Sequence, residues 1–82
     1  MDVKEALYLV DSLVFAHRGN RLGDLETSIF LGAWHGQRYV EIADSYHCSE
    51  GYVKDVAARL WKLLSEVLGE SVNKSNFRSV LE

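Results

Sequence analysis

The side chains of this sequence that are best suited to chemistry are three histidines and one cysteine: His17, His35, His47 and Cys48. Imidazole and thiolate groups bind zinc or act as nucleophiles when several of them converge on one point. His47 and Cys48 are adjacent, so on a regular element they point apart, and no second cysteine stands at a ligand spacing. We therefore expect no metal site, no cofactor and no catalytic residue here, and the pattern favours Cys48 as a small buried thiol.

Two other kinds of catalytic site are also disfavoured. The glycines at positions 19, 23, 32 and 36 lack the spacing of a phosphate-binding loop. The acidic residues between positions 41 and 55 are typical of a solvated helix face rather than of an acid–base pair. The sequence therefore predicts a protein that is not an enzyme and has no small-molecule substrate.

The composition indicates how many domains the chain forms and in which compartment it lies. A chain of 82 residues, 48% of them hydrophobic and none of them proline, is sufficient for one domain with a modest core. No apolar run approaches the roughly 18 residues that span a bilayer, so we expect no membrane partner. A single cysteine excludes an internal disulfide and favours a reducing, cytoplasmic location.

The hydrophobic periodicity predicts an all-α fold of about five helices. Ser49 has the side chain and the position of an N-cap for the fourth helix, and Asp2 with Glu5 is a capping-box pattern for the first. We expect helices at about residues 2–18, 24–36, 38–46, 49–68 and from 73 onwards.

The second to fourth helices are predicted to form a tri-helical helix-turn-helix unit. Ile42 and Ala43 form the buried centre of the third helix, and the fourth helix crosses over them. Trp34 is expected in the core and Trp61 at its edge. Glu26 is expected to cap its own helix or to pair with the third helix.

The final residues begin an amphipathic helix that stops at Glu82 without a glycine or a basic last turn. We interpret residues 1–82 as a single helix-turn-helix-like domain and expect it to be the N-terminal module of a longer protein.

The segment from Leu22 to Leu64 resembles the helix-turn-helix of LuxR-type response regulators and of the fourth region of sigma factors. The pattern is a leucine, a glutamate four residues later, a glycine before "xEIA", and "SxxxVK" at the start of the recognition helix. In this chain it reads Leu22, Glu26, Gly36, Glu41-Ile42-Ala43, Ser49 and Val53-Lys54.

A likeness over nearly the whole chain is carried by "YVEIA", "SEGYVKD" and "LWKLLS". These segments look like the small N-terminal helical domain of large, mostly cyanobacterial signalling proteins. In those proteins the domain precedes an NB-ARC NTPase, a vWA–MoxR-associated region or a WD-repeat propeller. The resemblance implies a cytoplasmic sensor or regulator whose effector lies downstream.

The helix-turn-helix pattern favours DNA binding by the helix that begins at Ser49. Lys54 and Tyr52 are then expected near bases, Arg38 and Arg59 on the sugar–phosphate backbone, and Ser49 against a phosphate. The full set of candidate DNA-binding residues is Arg38, Ser49, Gly51, Tyr52, Lys54, Asp55 and Arg59.

The charge balance keeps a second hypothesis open. The chain carries a formal charge of −3, and residues 37–68 hold four basic and five acidic residues, a balance of −1. Proteins that grip DNA through its phosphates usually carry a basic surplus. Together with aromatic residues on the flanks of the fourth helix, Tyr52 and Trp61, this balance favours a protein-interaction module that binds another domain or a second copy.

Overall fold

The computed structural model describes residues 1–82 and consists of helices joined by short loops, with no strand. The helices are α1 (Val3–Arg18), α2 (Asp24–Trp34), α3 (Tyr39–Tyr46), α4 (Glu50–Leu68) and α5 (Phe77–Leu81). This arrangement confirms the predicted all-α fold and its five helices.

Local sequence signals set most of the helix ends. At the start of α1, Asp2 Oδ1 accepts a hydrogen bond from the backbone N–H of Glu5 at 2.9 Å. At the start of α4, Ser49 Oγ accepts from the N–H of Tyr52 at 3.1 Å, which confirms the predicted N-cap. Gly69 ends α4 in the left-handed conformation, at φ 71°, as a C-terminal glycine commonly does.

One hydrophobic core receives side chains from every helix. The fourth helix contributes the most, and Val72 of the α4–α5 loop joins it. The buried residues are Ala6, Val10, Val14, Leu25, Ile29, Phe30, Ala33, Trp34, Ile42, Ala43, Val53, Val56, Ala57, Leu60, Trp61, Leu64, Val72, Phe77 and Leu81.

The helix-turn-helix unit consists of α2, α3 and α4, as predicted. α3 and α4 are separate helices, and the chain reverses between them at His47, which adopts the left-handed conformation at φ 61°. Ile42 and Ala43 of α3 and Val53 of α4 are all buried at this crossing. The expectation that the fourth helix crosses over the Ile-Ala pair is confirmed.

α3 also lies unusually close to α2, because α2 has a glycine at the contact. A Cβ atom built on Gly32 would stand 2.7 Å from Ile42 Cγ1 and 2.8 Å from Gln37 Oε1. Real Cβ atoms do not approach other atoms so closely, so a larger residue would push α3 away from α2.

The α1–α2 junction is held by charged side chains. Arg18 donates to both carboxylate oxygens of Glu26, at 3.1 and 2.8 Å, and to the backbone carbonyls of Asn20 and Arg21. Glu26 Oε1 also accepts from the N–H of Gly23 at 2.8 Å. The predicted cap of α2 by Glu26 is confirmed, but its partner across the fold is α1, not α3.

α5 begins later than the sequence predicts. Asn73 does not open the fifth helix, because its side chain accepts from the N–H groups of Ser75 and Asn76 and closes a turn. The helix itself starts at Phe77, whose ring lies 4.9 Å from that of Trp61 and 5.3 Å from that of Phe30. Aromatic packing, rather than the asparagine cap, fixes where this short helix lies.

The expectation that Trp61 takes part in an interaction surface was wrong. Trp61 is only 7% exposed, and its indole N–H donates to the Tyr39 hydroxyl at 2.9 Å, so it belongs to the core and presents no interaction surface. His17, in the last turn of α1, is exposed, and its Nε2 lies 3.2 Å from Glu66 Oε2 of α4.

Candidate nucleic-acid interface

The first turns of α4 stand at the surface of the helix-turn-helix unit. Val53, Val56 and Ala57 anchor them by their inward side. The opposite side faces solvent, and a Cβ atom added at Gly51 would meet nothing within 4 Å. All seven residues predicted for DNA contact are exposed: Arg38, Ser49, Gly51, Tyr52, Lys54, Asp55 and Arg59.

Six of these residues lie on α4 or its N-cap, and the seventh lies beside it. Arg38 immediately precedes α3. The hydroxyl of the next residue, Tyr39, accepts a hydrogen bond from the indole N–H of Trp61 on α4. This contact places the start of α3 beside the middle of α4, so Arg38 also lies beside α4.

The cations fall on both flanks of α4. Lys54 is on the flank that includes Trp61, seven residues further on, and therefore on the side of α3. Arg59 is on the other flank with Tyr52. The pKa of Glu26, at the start of α2, is lowered mainly by the hydrogen bonds from Arg18, and the charge of Arg59 adds to this effect. Asp55 lies between the two flanks on the outermost line of the helix.

Acidic side chains accompany two of these cations. Lys54 Nζ lies 3.3 Å from Glu50 Oε2, and Arg38 Nε lies 3.6 Å from Glu41 Oε1. The hydrogen bond from the Arg38 N–H, and then the nearby positive charges, lower the pKa of Glu41 below its usual range. Because both pairs are well exposed to solvent, each contributes little to stability and opens readily.

Two lysines near this surface were not among the predicted residues. Lys62 lies on the same outward line of α4 as Asp55, two turns further on. Its spacing of seven residues from Asp55 was a sequence signal that it faces the same side of the helix. Lys74 comes from the α4–α5 loop, and its ammonium lies 4.7 Å from the Tyr39 ring. No local signal placed Lys74 beside α3, because that contact depends on the path of a loop.

The histidine, cysteine and acidic side chains nowhere form a group of three that could hold a metal ion. His47 and Cys48 serve the turn before α4: His47 takes the left-handed conformation, and the Cys48 N–H donates to Ala43 O at 3.0 Å. Cys48 is half-buried against the core. None of the five helices combines the length and the apolarity that crossing a bilayer requires.

Comparison with protein families identifies the scaffold. Residues 1–82 match the family model described as the vWA-MoxR associated protein N-terminal HTH. The chain belongs to this family. No curated protein and no solved structure matches it.

The match covers residues 1–82 and so includes α1 and α5 as well as the helix-turn-helix unit. Of the downstream regions that the sequence likeness suggested, it supports the vWA–MoxR-associated type. The likeness to the helix-turn-helix of LuxR-type regulators and of sigma factors concerns only the pattern of residues in the sequence.

Proposed function

We propose that this domain is a non-catalytic regulatory module that binds duplex DNA, with the first turns of α4 in the major groove. The observation that carries the proposal is the exposed start of α4, held by its inward side in a helix-turn-helix unit. In DNA-binding proteins of this architecture, that part of the second motif helix contacts base edges. We further infer a cytoplasmic location, where the single thiol of Cys48 stays reduced.

The distribution of cations on α4 supports this orientation. A helix in the major groove has one phosphate backbone along each of its flanks. Lys54 and Arg38 would meet one backbone and Arg59 the other, with Tyr52 near the base edges. The Ser49 hydroxyl accepts from Tyr52 N–H and keeps its own proton to donate to a phosphate oxygen.

The acidic residues of the same surface predict the character of the binding. Glu50 and Glu41 must release Lys54 and Arg38 before these cations meet phosphates, which their exposed positions permit. Asp55 faces the groove without a cation within ion-pair distance, so it repels DNA except where it accepts from the amino group of a cytosine. We expect weak general affinity and a preference for sites that place a cytosine opposite Asp55.

Fluorescence anisotropy with labelled duplexes of random sequence, in salt from about 50 mM upwards, tests the proposal. The three cations assigned to the backbones, Lys54, Arg38 and Arg59, predict a log–log salt slope of roughly −3. Lys54→Glu should weaken binding at least about tenfold, whereas Asp55→Asn should strengthen binding to random duplexes. Lys4→Glu, the same charge change on exposed α1, is the matched control and should leave the affinity within about twofold of the unmodified chain.

The proposal fails if no duplex binds at about 50 mM salt, where electrostatic contacts are strongest. It also fails if Lys54→Glu and Lys4→Glu weaken binding equally, because the net charge of the chain would then explain the affinity without any groove contact.

A protein-interaction module on the same scaffold is the second candidate. The negative charge of the chain and the exposed aromatic rings of Tyr8 and Phe15 on α1 favour it. The two candidates separate experimentally, because variants of the α4 surface affect only DNA binding and variants of α1 affect only protein contacts.

A further inference from the structure

A cleft of about 640 Å³ opens between the end of α2 and the start of α5. His35 lines it from the α2 side, and Lys74 and Arg78 line it from the other side. None of the residues that line it is acidic. We refer to this cleft with these three side chains as the basic cleft. The formal charge of the chain is −3, so the fold places two cations together in a chain that is acidic as a whole.

The two cations of the basic cleft lie on aromatic rings and not on carboxylates. The Arg78 guanidinium lies 4.3 Å from the centre of the Trp34 ring, and the Lys74 ammonium lies 4.7 Å from that of Tyr39. A ring face holds a cation in place without neutralising its charge. The ion pairs of the chain engage other side chains, namely those of His17, Arg18, Arg21, Arg38 and Lys54. Lys74 and Arg78 therefore have no carboxylate within ion-pair distance.

Both cations also have hydrogen-bond donors to offer. The Arg78 guanidinium uses one N–H group, which donates to the carbonyl of Trp34 at 3.2 Å, and it has further N–H groups in the same plane. Lys74 has an ammonium with several N–H donors, and its contact with Tyr39 is with the face of the ring. The oxygens of a phosphate in the cleft could therefore accept charge-assisted hydrogen bonds from both side chains.

The basic cleft adjoins the part of the proposed DNA interface that Arg38 forms. Arg38 directly precedes Tyr39, the first residue of α3, and Lys74 lies over the Tyr39 ring. The charge of Lys74 also reaches the first turn of α3: the pKa of Glu41 is lowered mainly by the hydrogen bond from the Arg38 N–H, and Lys74 adds to this effect. Lys74 and Arg78 line the same cleft. Arg38, Lys74 and Arg78 therefore form a row that begins at the proposed interface and continues into the cleft.

We propose that the DNA backbone that meets Arg38 continues along the basic cleft, where Lys74 and Arg78 each bind a further phosphate. This inference rests on the proposed function and adds phosphate contacts beyond those of α4 and Arg38. A DNA strand presents phosphates at regular intervals, so a row of cations suits it better than it suits a single anion. Such contacts fix position and add affinity without reading sequence, and here they would offset part of the repulsion from Asp55.

The salt dependence of duplex binding, measured by fluorescence anisotropy, reports how many phosphates the chain neutralises. The three cations of the proposed interface alone predict a log–log slope of roughly −3, whereas two further phosphate contacts predict about −4.5. Lys74→Gln should make the slope shallower by about 0.9 and weaken binding about five- to tenfold at about 50 mM salt. Arg78→Gln should have the same effects, and the double variant should return the slope to roughly −3.

Variants that keep the charge separate a phosphate contact from a structural role. Lys74→Arg and Arg78→Lys should retain the slope of the unmodified chain within about 0.3. Lys4→Gln removes a positive charge from exposed α1 and is the matched control, so it should leave the slope within about 0.3 and the affinity within about twofold. Circular dichroism must show the same helix content in every variant.

The inference is overturned if duplexes bind and Lys54→Glu weakens the binding, but the slope stays near roughly −3 and Lys74→Gln behaves like Lys4→Gln. The proposed function would then stand, and the basic cleft would bind something other than the DNA backbone, such as an acidic protein segment. If no duplex binds at about 50 mM salt, the proposed function and this inference fail together.

Discussion

The α1–α2 and α3–α4 junctions both reverse the chain between two helices, but they are held by different forces. At the first, the Arg18 guanidinium bonds to Glu26 and to two loop carbonyls, so the contacts are polar and half-exposed. At the second, the loop is short, and buried side chains such as Ile42 and Val53 meet directly. The α3–α4 junction thus positions the proposed DNA-binding helix by packing, and the α1–α2 junction adds a pH-sensitive clamp.

This difference matters because packing and polar contacts respond differently to a change. Apolar packing at a helix crossing tolerates neither an added charge nor an added atom, because the surrounding side chains cannot move away. An exposed ion pair can be lost with a small penalty. We therefore expect substitutions at the α3–α4 unit to have larger effects than substitutions at the α1–α2 junction.

The largest effect should follow Ile42→Asp. Ile42 is 2% exposed, so the new carboxylate would be buried without a partner, at a cost of about 4 kcal/mol. Thermal unfolding followed by circular dichroism measures it. Ser45→Asp, on the exposed side of the same helix, is the control and should change the melting temperature little. An unchanged melting temperature in Ile42→Asp would refute the described crossing of α3 and α4.

The next largest effect should follow Gly32→Ala. The added methyl group would stand 2.7 Å from Ile42 Cγ1, and overpacking of this kind costs about 2 kcal/mol even after the gain in helix propensity. Urea unfolding compares it with Gly51→Ala, at a helical glycine with open space around it. The control should gain about 0.5–1 kcal/mol. Equal effects of both substitutions would show that Gly32 does not set the α2–α3 distance.

These two positions also show how far the sequence alone could lead. Ile42 was predictable, because its place in a short amphipathic segment before a capped helix marks it as buried. The role of Gly32 was not, since a glycine within a helical pattern gives no information about which side chain approaches it. The seven candidate DNA-binding residues are all exposed, and their contact with DNA stays a prediction. The salt bridges of Lys54 and Arg38 depend on side-chain conformations that the helical period does not specify.

At the polar junction, Glu26→Gln should cost about 1 kcal/mol near neutral pH, because the charged hydrogen bonds to Arg18 are lost. Arg18 holds the pKa of Glu26 below its usual value of 4.5 in the folded state. The stability that the carboxylate adds is therefore complete above pH 4.5 and lost as the pH falls further. Urea unfolding at several pH values should show the variant losing less stability on acidification than the unmodified chain.

Glu70→Gln is the control for this comparison, because Glu70 is exposed and takes part in no ion pair. It should leave both the stability and its acid dependence unchanged. If Glu26→Gln showed the same acid slope as the unmodified chain, the Arg18–Glu26 contact could not be the pH-sensitive element of the α1–α2 junction.

The smallest effect, and the only gain among the junction residues, should come from His47→Gly. His47 is the one non-glycine residue with a positive φ, 61°, a conformation in which a side chain is strained and glycine is not. Relief of the strain exceeds the added freedom of the unfolded chain, so we expect a gain of about 0.5 kcal/mol. His35→Gly, at φ −89°, should give no gain in stability.

Since the turn keeps its geometry, the affinity of α4 for DNA should also be unchanged in His47→Gly. A loss of affinity with the stability gain intact would show that the His47 side chain itself contacts the ligand, and would extend the interface from α4 into the junction that positions it.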